Sequence, residues 1–429
     1  MATQDKKVTT RNGVVYLGDW IDVLKTLPDC SVHMVCTSPP YYKLRNYGVN
    51  GQVGLEKTPE LFVQKLVNGF REVRRVLRDD GVLFVNMGDS YASHGQSELK
   101  PKDLLMIPAQ LAIALRANSW YLRSQIPWIK RSSMPDSTED RLGSSVEYVF
   151  LLSKQASYYF DMQAVRRQLA HATLNDQRQL SGDYKAKRVR NIGGRTDGFT
   201  GSVGTLPTTN DARNFRSGDL WFQSIEEPHG MVFYEDEIVG LDVTSKSFKG
   251  AHFAVFPPKL VEPLILAGTS EKGCCPDCLA PWKRVLVKQR EATRPGTDTK
   301  VVGDSKTEGN RDPERHVTRS RTLGWKPSCG CYGLKLIKDY PSKKSSESDE
   351  EFAGRLATWQ ERWEWIAPQY AKCKTIPCTV LDPFSGSGTS GMVSISKGRR
   401  YIGIELNPDY LEMSQKRLHK GELQRGLLG

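Results

Sequence analysis

The stretch from Thr379 to Glu405 constrains the fold most, because it joins a strand, a glycine-rich turn, a helix and a second strand. The run "TVLD" is short and aliphatic, "PFSGSGTSG" supplies the turn, and "RRYIGIEL" is again rich in β-branched and aliphatic residues. Two such runs separated by one helical segment predict a parallel βαβ unit. Parallel sheets need helices on their faces, so the chain is predicted to be an α/β protein.

The turn in this unit suits a ligand that carries a nucleoside. Gly386 and Gly388 let the backbone approach such a ligand closely. Glu405 ends the next strand about 20 residues later, where a carboxylate can accept hydrogen bonds from ribose hydroxyls. A dinucleotide-dependent dehydrogenase satisfies the same geometry, so this unit alone does not exclude a dinucleotide cofactor.

The N-terminal part shows the same alternation and ends one strand in an unusual way. A strand and acidic turn in "GVVYLGDW" come first, followed by the apolar run "SVHMVCT" that passes directly into "SPPYY". The two prolines fix Ser38 and Tyr41 at the carboxyl end of the strand, which is where open α/β sheets bind ligands. A rigid turn after a core strand is the structural alternative.

The positive charge of the chain is concentrated in two segments. The formal net charge is +12, and residues 165–216 hold ten Lys and Arg against four Asp. Residues 283–326 hold twelve Lys and Arg against six Asp and Glu. Each segment therefore carries an excess of six, which indicates modules that bind a polyanion attached to a nearly neutral core. Solvated basic loops are the alternative.

Five of the nine cysteines lie close together in the sequence. Cys275 and Cys278 form a Cys-x-x-Cys pair, and Cys329 and Cys331 form a second pair. Four thiolates in two pairs predict a tetrahedral structural zinc site, with unliganded reduced cysteines as the alternative. Cys274 is left over, and Cys378 is expected to be a buried structural cysteine rather than a nucleophile.

The order of the two motifs resembles a known enzyme family. "TSPPYY" followed later by "DPFSGSGT" is closely similar to the amino-methylating DNA methyltransferases that use S-adenosylmethionine, in the permuted arrangement with the catalytic motif first. The resemblance covers Val14 to about Leu152, Ala251 to Thr269 and Thr379 to Leu418. It implies an α/β fold with a doubly wound, mostly parallel, seven-stranded Rossmann-like sheet that carries inserted target-recognition and zinc-ribbon-like modules.

The resemblance also implies the site residues. Asp19 would contact the adenine end of the cofactor, Glu405 its ribose, and the loop from Asp382 to Gly388 its methionine part. Phe256 would lie at the start of an additional cofactor-site helix. The expected cofactor residues are Asp19, Thr37, Phe256, Asp382, Pro383, Phe384, Gly386, Gly388, Thr389 and Glu405, and the expected catalytic residues are Ser38, Pro39, Pro40 and Tyr41.

The chemistry expected at Ser38 follows from the nucleophile. The lone pair of an exocyclic base amine is conjugated into the ring, so acceptors must hold the amine protons in a geometry that frees it. The Ser38 hydroxyl and the Pro39 carbonyl are two such acceptors, and Tyr41 can stack on the base. A base inside a duplex must be flipped out to reach them. Related enzymes with Ser at this position typically methylate cytosine N4, whereas adenine N6 remains the alternative.

The expected domain organisation follows the interruptions of the α/β pattern. It is a catalytic half at residues 12–165, a target-recognition region at 166–250, a cofactor-site segment at 251–273, a cysteine-rich insert at 274–340, a linker and helix at 341–371, and a cofactor-binding half at 372–429. Contacts to DNA phosphates are expected from Lys185, Lys187, Arg188, Arg190 and Arg195.

The expected partner is double-stranded DNA, with a cognate restriction endonuclease as a possible second partner. No apolar run approaches the length of a membrane span, so the chain is expected to be a cytoplasmic protein of a prokaryote or phage. A zinc-ribbon DNA-binding protein without catalysis is disfavoured because both chemical motifs are intact. Methylation of RNA or of a protein amide stays open.

Overall fold

The structure is a computed structural model of the full chain. It describes residues 7–93, 99–130, 140–141, 145–165, 231–234, 237–243, 256–292, 316–344 and 346–426. The strands are β1 (Lys7–Thr9), β2 (Gly13–Leu17), β3 (Val32–Thr37), β4 (Leu77–Met87), β5 (Tyr121–Ile129), β6 (Val146–Ser153), β7 (Met231–Tyr234), β8 (Glu237–Asp242), β9 (Lys283–Ala292), β10 (His316–Lys326), β11 (Thr379–Asp382) and β12 (Arg400–Glu405).

The main sheet is mixed, with a parallel centre. Its strand order is β1-β2-β12-β11-β3-β4-β6-β5-β8-β7. The five strands from β2 to β4 in this order are parallel to one another. Strand β6 runs antiparallel between β4 and β5. The predicted α/β fold with a mostly parallel sheet is therefore confirmed.

The expected number of seven strands is wrong. Eight strands run from β1 to β5, both included, and the β7–β8 hairpin extends the sheet to ten in the part of the chain that the structure describes. The extra strands lie at the edges, where β1 pairs with β2 and β8 pairs with β5. Strand β1 has three residues, which is too short to show the alternation of apolar and polar residues by which a strand is predicted. It forms by pairing with the edge of the sheet, at β2.

The described residues contain seven α-helices, six of which pack against this sheet. They are α1 (Trp20–Thr26), α2 (Pro59–Val76), α3 (Ile107–Ala117), α4 (Pro258–Gly268), α5 (Asp349–Ala371), α6 (Thr389–Ser396) and α7 (Pro408–Gly426). Helices α1, α2 and α3 bury residues such as Leu24, Phe70 and Leu111 on one face of the sheet. Helices α4, α6 and α7 cover the other face with residues such as Leu260 and Leu418. The arrangement is doubly wound, as expected.

A second, two-stranded sheet stands apart from the main one. Strands β9 and β10 pair antiparallel from Lys283↔Lys326 to Ala292↔His316. Helix α5 packs beside it and contributes Ile366 and Tyr370 to a small core around Trp282. None of the described helices is long and apolar enough to cross a membrane.

Candidate functional site

Five parallel strands present polar loops at the same edge of the sheet. Leu17 pairs with Glu405, Asp382 with Gly403, and Thr37 with Val85, so the loops after these strands begin side by side. Parallel strands all place their carboxyl ends at one edge, where α/β sheets bind ligands. The structure therefore brings together the two motifs that the sequence separates by more than three hundred residues.

One cavity of about 290 Å³ lies at this edge and is lined by both motifs. Twelve of the fourteen residues expected in the site line it, namely Asp19, Ser38, Pro39, Pro40, Tyr41, Phe256, Asp382, Pro383, Phe384, Gly386, Thr389 and Glu405. Thr37 and Gly388 are not among the residues that line the cavity. The Thr37 hydroxyl donates to Asp382 Oδ1 at 2.6 Å. A Cβ at Gly388 would lie 2.9 Å from the Ser414 Cα.

The glycine-rich turn has the backbone that the sequence predicts. Gly386 and Gly388 have φ angles of +51° and +81°, which L-residues with a side chain rarely adopt. Gly388 precedes helix α6, whose first residue is Thr389. The hydroxyl of Thr389 is buried beside the cavity without a hydrogen-bond partner among the described residues. A polar ligand in the cavity is the natural partner for it, because buried polar groups are nearly always bonded.

Glu405 fixes the turn from the neighbouring strand. The backbone N–H of Gly386 donates to Glu405 Oε2 at 2.7 Å, and the N–H of Asn407 donates to Oε1 at 2.8 Å. Burial outweighs these bonds and raises the pKa of Glu405 to about 7. Each carboxylate oxygen has a second lone pair, so Glu405 can still accept hydrogen bonds from a ligand.

Asp382 and Asp19 also have structural partners. Burial raises the pKa of Asp382 to about 6, against hydrogen bonds from the Thr37 hydroxyl and the Phe384 N–H. Asp19 caps helix α1, since its carboxylate accepts from the N–H groups of Ile21 and Asp22 at 2.8 and 3.3 Å. Both carboxylates are therefore held in place independently of a ligand.

The loop that carries Ser38 and Tyr41 is tied to residues that the sequence did not single out. Asn86, at the end of β4, donates from Nδ2 to Tyr41 Oη at 2.7 Å, to Glu147 Oε2 at 3.0 Å and to Ser38 Oγ at 3.4 Å. Tyr41 Oη donates to Glu147 Oε2 at 2.5 Å. Glu147 also forms an ion pair with Lys130.

The orientation of the Asn86 amide follows from these partners. Because the carboxylate of Glu147 only accepts, the amide nitrogen must face it. The Asn86 oxygen is then buried with no partner in the described part of the chain. Asn86 and Lys130 both line the cavity. An Asn that ends a buried strand beside the "SPPYY" strand is the sequence signal that could have indicated this residue.

The cysteine pairs come together at the opposite end of the sheet. The sulfur atoms of Cys275, Cys278, Cys329 and Cys331 all lie within 4.8 Å of one another. Four thiolates around zinc at about 2.3 Å would be separated by roughly 3.8 Å, so a small adjustment closes the site. Burial raises the pKa of Cys275, but hydrogen bonds from the N–H groups of Cys278 and Asp277 outweigh it, so that the pKa is lowered to about 7.

A second cluster contains His33, Cys274 and Cys378, all buried. Both imidazole nitrogens of His33 are already used. Nδ1 accepts from the N–H of Thr379 at 3.0 Å, and Nε2 donates to the carbonyl of Leu279 at 2.8 Å. No lone pair remains for a metal, so this cluster is a packing and hydrogen-bonding element. The expected structural role of Cys378 agrees with its complete burial.

The expected DNA-binding residues Lys185, Lys187, Arg188, Arg190 and Arg195 lie outside the described residues.

Comparisons with known proteins identify the family of this chain. Residues 32–280 and 378–416, more than half of the chain, match the DNA methylase family of N6 and N4 methyltransferases. The type II methyltransferase M.Cfr9I of Citrobacter freundii is 28% identical over 425 residues, which span 94% of this chain and 87% of that protein. The type II methyltransferase M.XycI of Xanthomonas campestris pv. cyanopsidis is 29% identical over 429 residues, spanning 95% and 88% of the two chains.

Among solved structures, PvuII DNA methyltransferase (cytosine-N4-specific) aligns over 95% of this chain and 87% of its own, with 16% identity and a TM-score of 0.47. The family match includes the strand that leads into "SPPYY" and the whole unit that carries "DPFSGSG", and these two motifs line one cavity. The chain belongs to the DNA methylase family and is an amino-DNA methyltransferase.

Proposed function

We propose that this methyltransferase transfers a methyl group from S-adenosylmethionine to the N4 amine of a flipped-out cytosine in duplex DNA. The observation that carries the proposal is that Ser38 and the Gly386 turn line the same cavity. A nucleoside-bearing methyl donor on the turn and a base at Ser38 would thus lie next to each other. The observation also accommodates adenine N6, and Ser38 itself favours cytosine through the family resemblance.

The cavity fits the cofactor by its donors and acceptors. The hydroxyl of Thr389, which has no hydrogen-bond partner among the described residues, and the second lone pairs of the Glu405 oxygens suit the polar groups of S-adenosylmethionine. Glu405 would accept from the ribose hydroxyls, Asp19 would contact the adenine end, and the turn from Asp382 to Gly386 would surround the methionine part. The cofactor supplies an electrophilic methyl group on a sulfonium ion.

The residues of the "SPPYY" loop would prepare the target amine. Ser38 Oγ and the Pro39 carbonyl can accept its two protons, which directs the nitrogen lone pair towards the methyl group. The buried oxygen of Asn86, which lacks a partner in the described residues, is a third acceptor at the same strand edge. Holding the acceptors in place before reaction avoids reorganisation in the transition state.

Substitution of Ser38 tests this assignment. Ser38→Ala should reduce the single-turnover methylation rate by about 10²-fold, comparable to the loss of one preorganised transition-state hydrogen bond. The affinity for S-adenosylmethionine, measured by titration calorimetry, should stay within about twofold, because Ser38 is proposed to contact the target base and not the cofactor. Unchanged turnover would refute the catalytic role.

Product analysis tests the target base. DNA methylated by the purified enzyme is digested to nucleosides, which are separated by chromatography and compared with N4-methyldeoxycytidine and N6-methyldeoxyadenosine standards. N4-methyldeoxycytidine as the product supports the proposal. N6-methyldeoxyadenosine as the product would identify adenine as the target base and leave the methyltransferase assignment unchanged.

Because the relatives are named type II methyltransferases, we propose a restriction-modification role with a cognate endonuclease.

The predicted target-recognition region is proposed to grip the DNA backbone. Lys185, Lys187, Arg188, Arg190 and Arg195 would displace counterions from phosphates. Changing Lys187 and Arg188 to Ala should weaken DNA binding. The slope of log K for DNA binding against log salt concentration should become shallower by about one to two. Lys420→Ala, at an exposed position on α7, is the matched control. An unchanged salt slope in the double variant would remove these residues from the interface.

We also propose that Cys275, Cys278, Cys329 and Cys331 hold one structural zinc ion. Their two sequence pairs and the proximity of their sulfur atoms support this site. Elemental analysis of the purified chain should give about one zinc per molecule, and Cys278→Ser together with Cys331→Ser should remove it. Zinc that persists in the double variant would place the metal elsewhere.

A further inference from the structure

Methylation of an amine releases a proton, and a group of hydrogen-bonded side chains beside Ser38 can carry this proton away from the amine. This inference rests on the proposed function, because it takes the target amine to lie at Ser38. The amine nitrogen forms a bond to the methyl group and must then lose one hydrogen. Ser38 Oγ can take this hydrogen only if it passes its own hydrogen to another acceptor, since a protonated alcohol is a very strong acid.

Ser38 has such an acceptor in Tyr41. Asn86 Nδ2 donates to Ser38 Oγ at 3.4 Å and to Tyr41 Oη at 2.7 Å, so the two hydroxyl groups lie beside one amide and the Ser38 hydroxyl can turn towards Tyr41 Oη. Tyr41 Oη in turn donates to Glu147 Oε2 at 2.5 Å. Asn86 Nδ2 donates to all three groups, so it fixes their positions without carrying a proton itself.

The charges suit transfer towards Glu147. Lys130 pairs with Glu147 Oε1, which leaves Oε2 to receive the bond from Tyr41. The side chain of Glu147 is 12% exposed, so it lies at the boundary between the buried chain and the open part of the cavity. Burial and Glu147 both raise the pKa of Tyr41, which keeps its hydroxyl protonated and able to donate.

The other carboxylates of the cavity are engaged differently. Asp382 accepts from the Thr37 hydroxyl and the Phe384 N–H. Glu405 accepts from two backbone N–H groups of the glycine-rich turn and the residue after β12. In the described residues, Glu147 is the carboxylate that hydrogen bonds connect to Ser38.

We propose that Glu147 receives the proton of the methylated amine through Ser38 and Tyr41. The amine N–H bond breaks as a new O–H bond forms at Ser38, the original Ser38 hydrogen moves to Tyr41 Oη, and the Tyr41 hydrogen moves to Glu147 Oε2. Each oxygen gains one hydrogen and gives one away, except Glu147, which ends as a carboxylic acid. Release of this hydrogen to water resets the chain.

The test separates the Tyr41 hydroxyl from its ring. Tyr41→Phe and Glu147→Gln should each slow single-turnover methylation by at least about tenfold, within the range of a lost acid or base step. S-adenosylmethionine affinity and capture of a fluorescent base analogue should change by less than about threefold, because the ring remains. Tyr42→Phe is the matched control, since the Tyr42 hydroxyl donates to the Lys57 carbonyl outside this chain.

A rescue experiment distinguishes proton transfer from support of the loop. Glu147→Ala leaves room beside Lys130 for a small carboxylate, so added formate should restore part of the single-turnover rate, whereas chloride at the same ionic strength should not. The double variant Tyr41→Phe/Glu147→Gln should be little slower than either single variant, because one broken link stops the whole chain.

The outcomes separate this proposal from the proposed function. Normal activity in Ser38→Ala would overturn the placement of the amine and this chain with it. An inactive Ser38→Ala together with normal rates in Tyr41→Phe or Glu147→Gln would overturn the proton route alone. If Glu147→Gln fails to fold, Tyr41→Phe decides, and formate rescue that is absent in a folded Glu147→Ala overturns the role of Glu147.

Discussion

At the scale of single residues, the site depends on groups that have little freedom to change. Gly88 follows β4, and a Cβ built there would lie 2.4 Å from Cε2 of the Tyr41 ring. Such a distance requires one group to move. Glu405 is constrained in another way, because it is buried and its two oxygens hold the N–H groups of Gly386 and Asn407.

Gly88→Ala should displace the Tyr41 ring and slow methylation. We expect a loss of at least about tenfold in single-turnover rate and a cost of about 1–3 kcal/mol in stability, as for other overpacked sites. In a Tyr41→Ala background the added methyl group has free space, so Gly88→Ala should there have almost no further effect. An equal loss in both backgrounds would show that Gly88 acts independently of Tyr41.

Glu405 should make the ligand-free protein less stable as pH rises. Its pKa is about 7 in the folded chain and 4.5 for an ordinary Glu, so the folded state holds more protons between these values. This stability is present below about pH 4.5 and is lost as pH rises through 7.

Glu405→Gln has no such titration. The difference in unfolding free energy between the variant and the unchanged protein should therefore shift by roughly 3 kcal/mol in favour of the variant from pH 4.5 to pH 8. Denaturant titrations at a series of pH values measure this shift. A pH-independent difference would contradict the raised pKa of Glu405.

At the scale of elements, the contact between α1 and α2 supports the cofactor side of the cavity. Gly69 in α2 lies against the indole of Trp20, the first residue of α1, and a Cβ there would come within 1.9 Å of the ring. The Trp20 ring packs at 4.6 Å on the ring of Phe384, which lines the cavity. The glycine inside α2 is therefore required by packing, although it weakens the helix.

Gly69→Ala should destabilise the protein despite the better helix propensity of alanine. The propensity gain is about 1 kcal/mol, whereas the overlap with Trp20 requires α1 to shift. We expect a net loss of about 1–3 kcal/mol and a several-fold weaker affinity for S-adenosylmethionine, measured by denaturation and calorimetry. Gly354→Ala in α5 is the control, because no atom of the described residues lies within 4 Å of its Cβ position. Stabilisation by Gly69→Ala would refute the packing constraint.

At the scale of the whole molecule, the cysteine cluster is attached to the catalytic sheet. His33 in β3 connects the carbonyl of Leu279, next to Cys278, with the N–H of Thr379 at the start of β11. Arg78 donates to the carbonyl of Cys278 at 2.7 Å. The strands that lead to Ser38 and to the glycine-rich turn are thus linked to the proposed metal site at their other end.

His33→Ala should therefore affect the cysteine region and the sheet together. Losing two buried hydrogen bonds and leaving a cavity should cost about 2–4 kcal/mol. Limited proteolysis should cut the segment around Cys278 faster in the variant. His419→Ala is the control, because His419 is exposed on α7 and its Nδ1 lies 3.5 Å from Glu422 Oε2 at the surface. Unchanged proteolysis in His33→Ala would show that the two regions are independent.

The sequence alone determined the α/β class, the two strand-end motifs and the two cysteine pairs. These features are local, because strand and helix periodicity, left-handed turns at Gly386 and Gly388, and metal-ligand spacing all act over a few residues. The placement of twelve expected site residues around one cavity was also predictable, since parallel strands share a carboxyl edge.

Only the tertiary structure decided which other side chains complete the site. Asn86 and Glu147 meet Tyr41, and Lys130 meets Glu147, because β6 runs antiparallel between β4 and β5, and that pairing leaves no local trace in the sequence. The role of His33 and the extra edge strands were hidden for the same reason. Their partners are distant in the chain, so contact with them depends on how the whole sheet assembles.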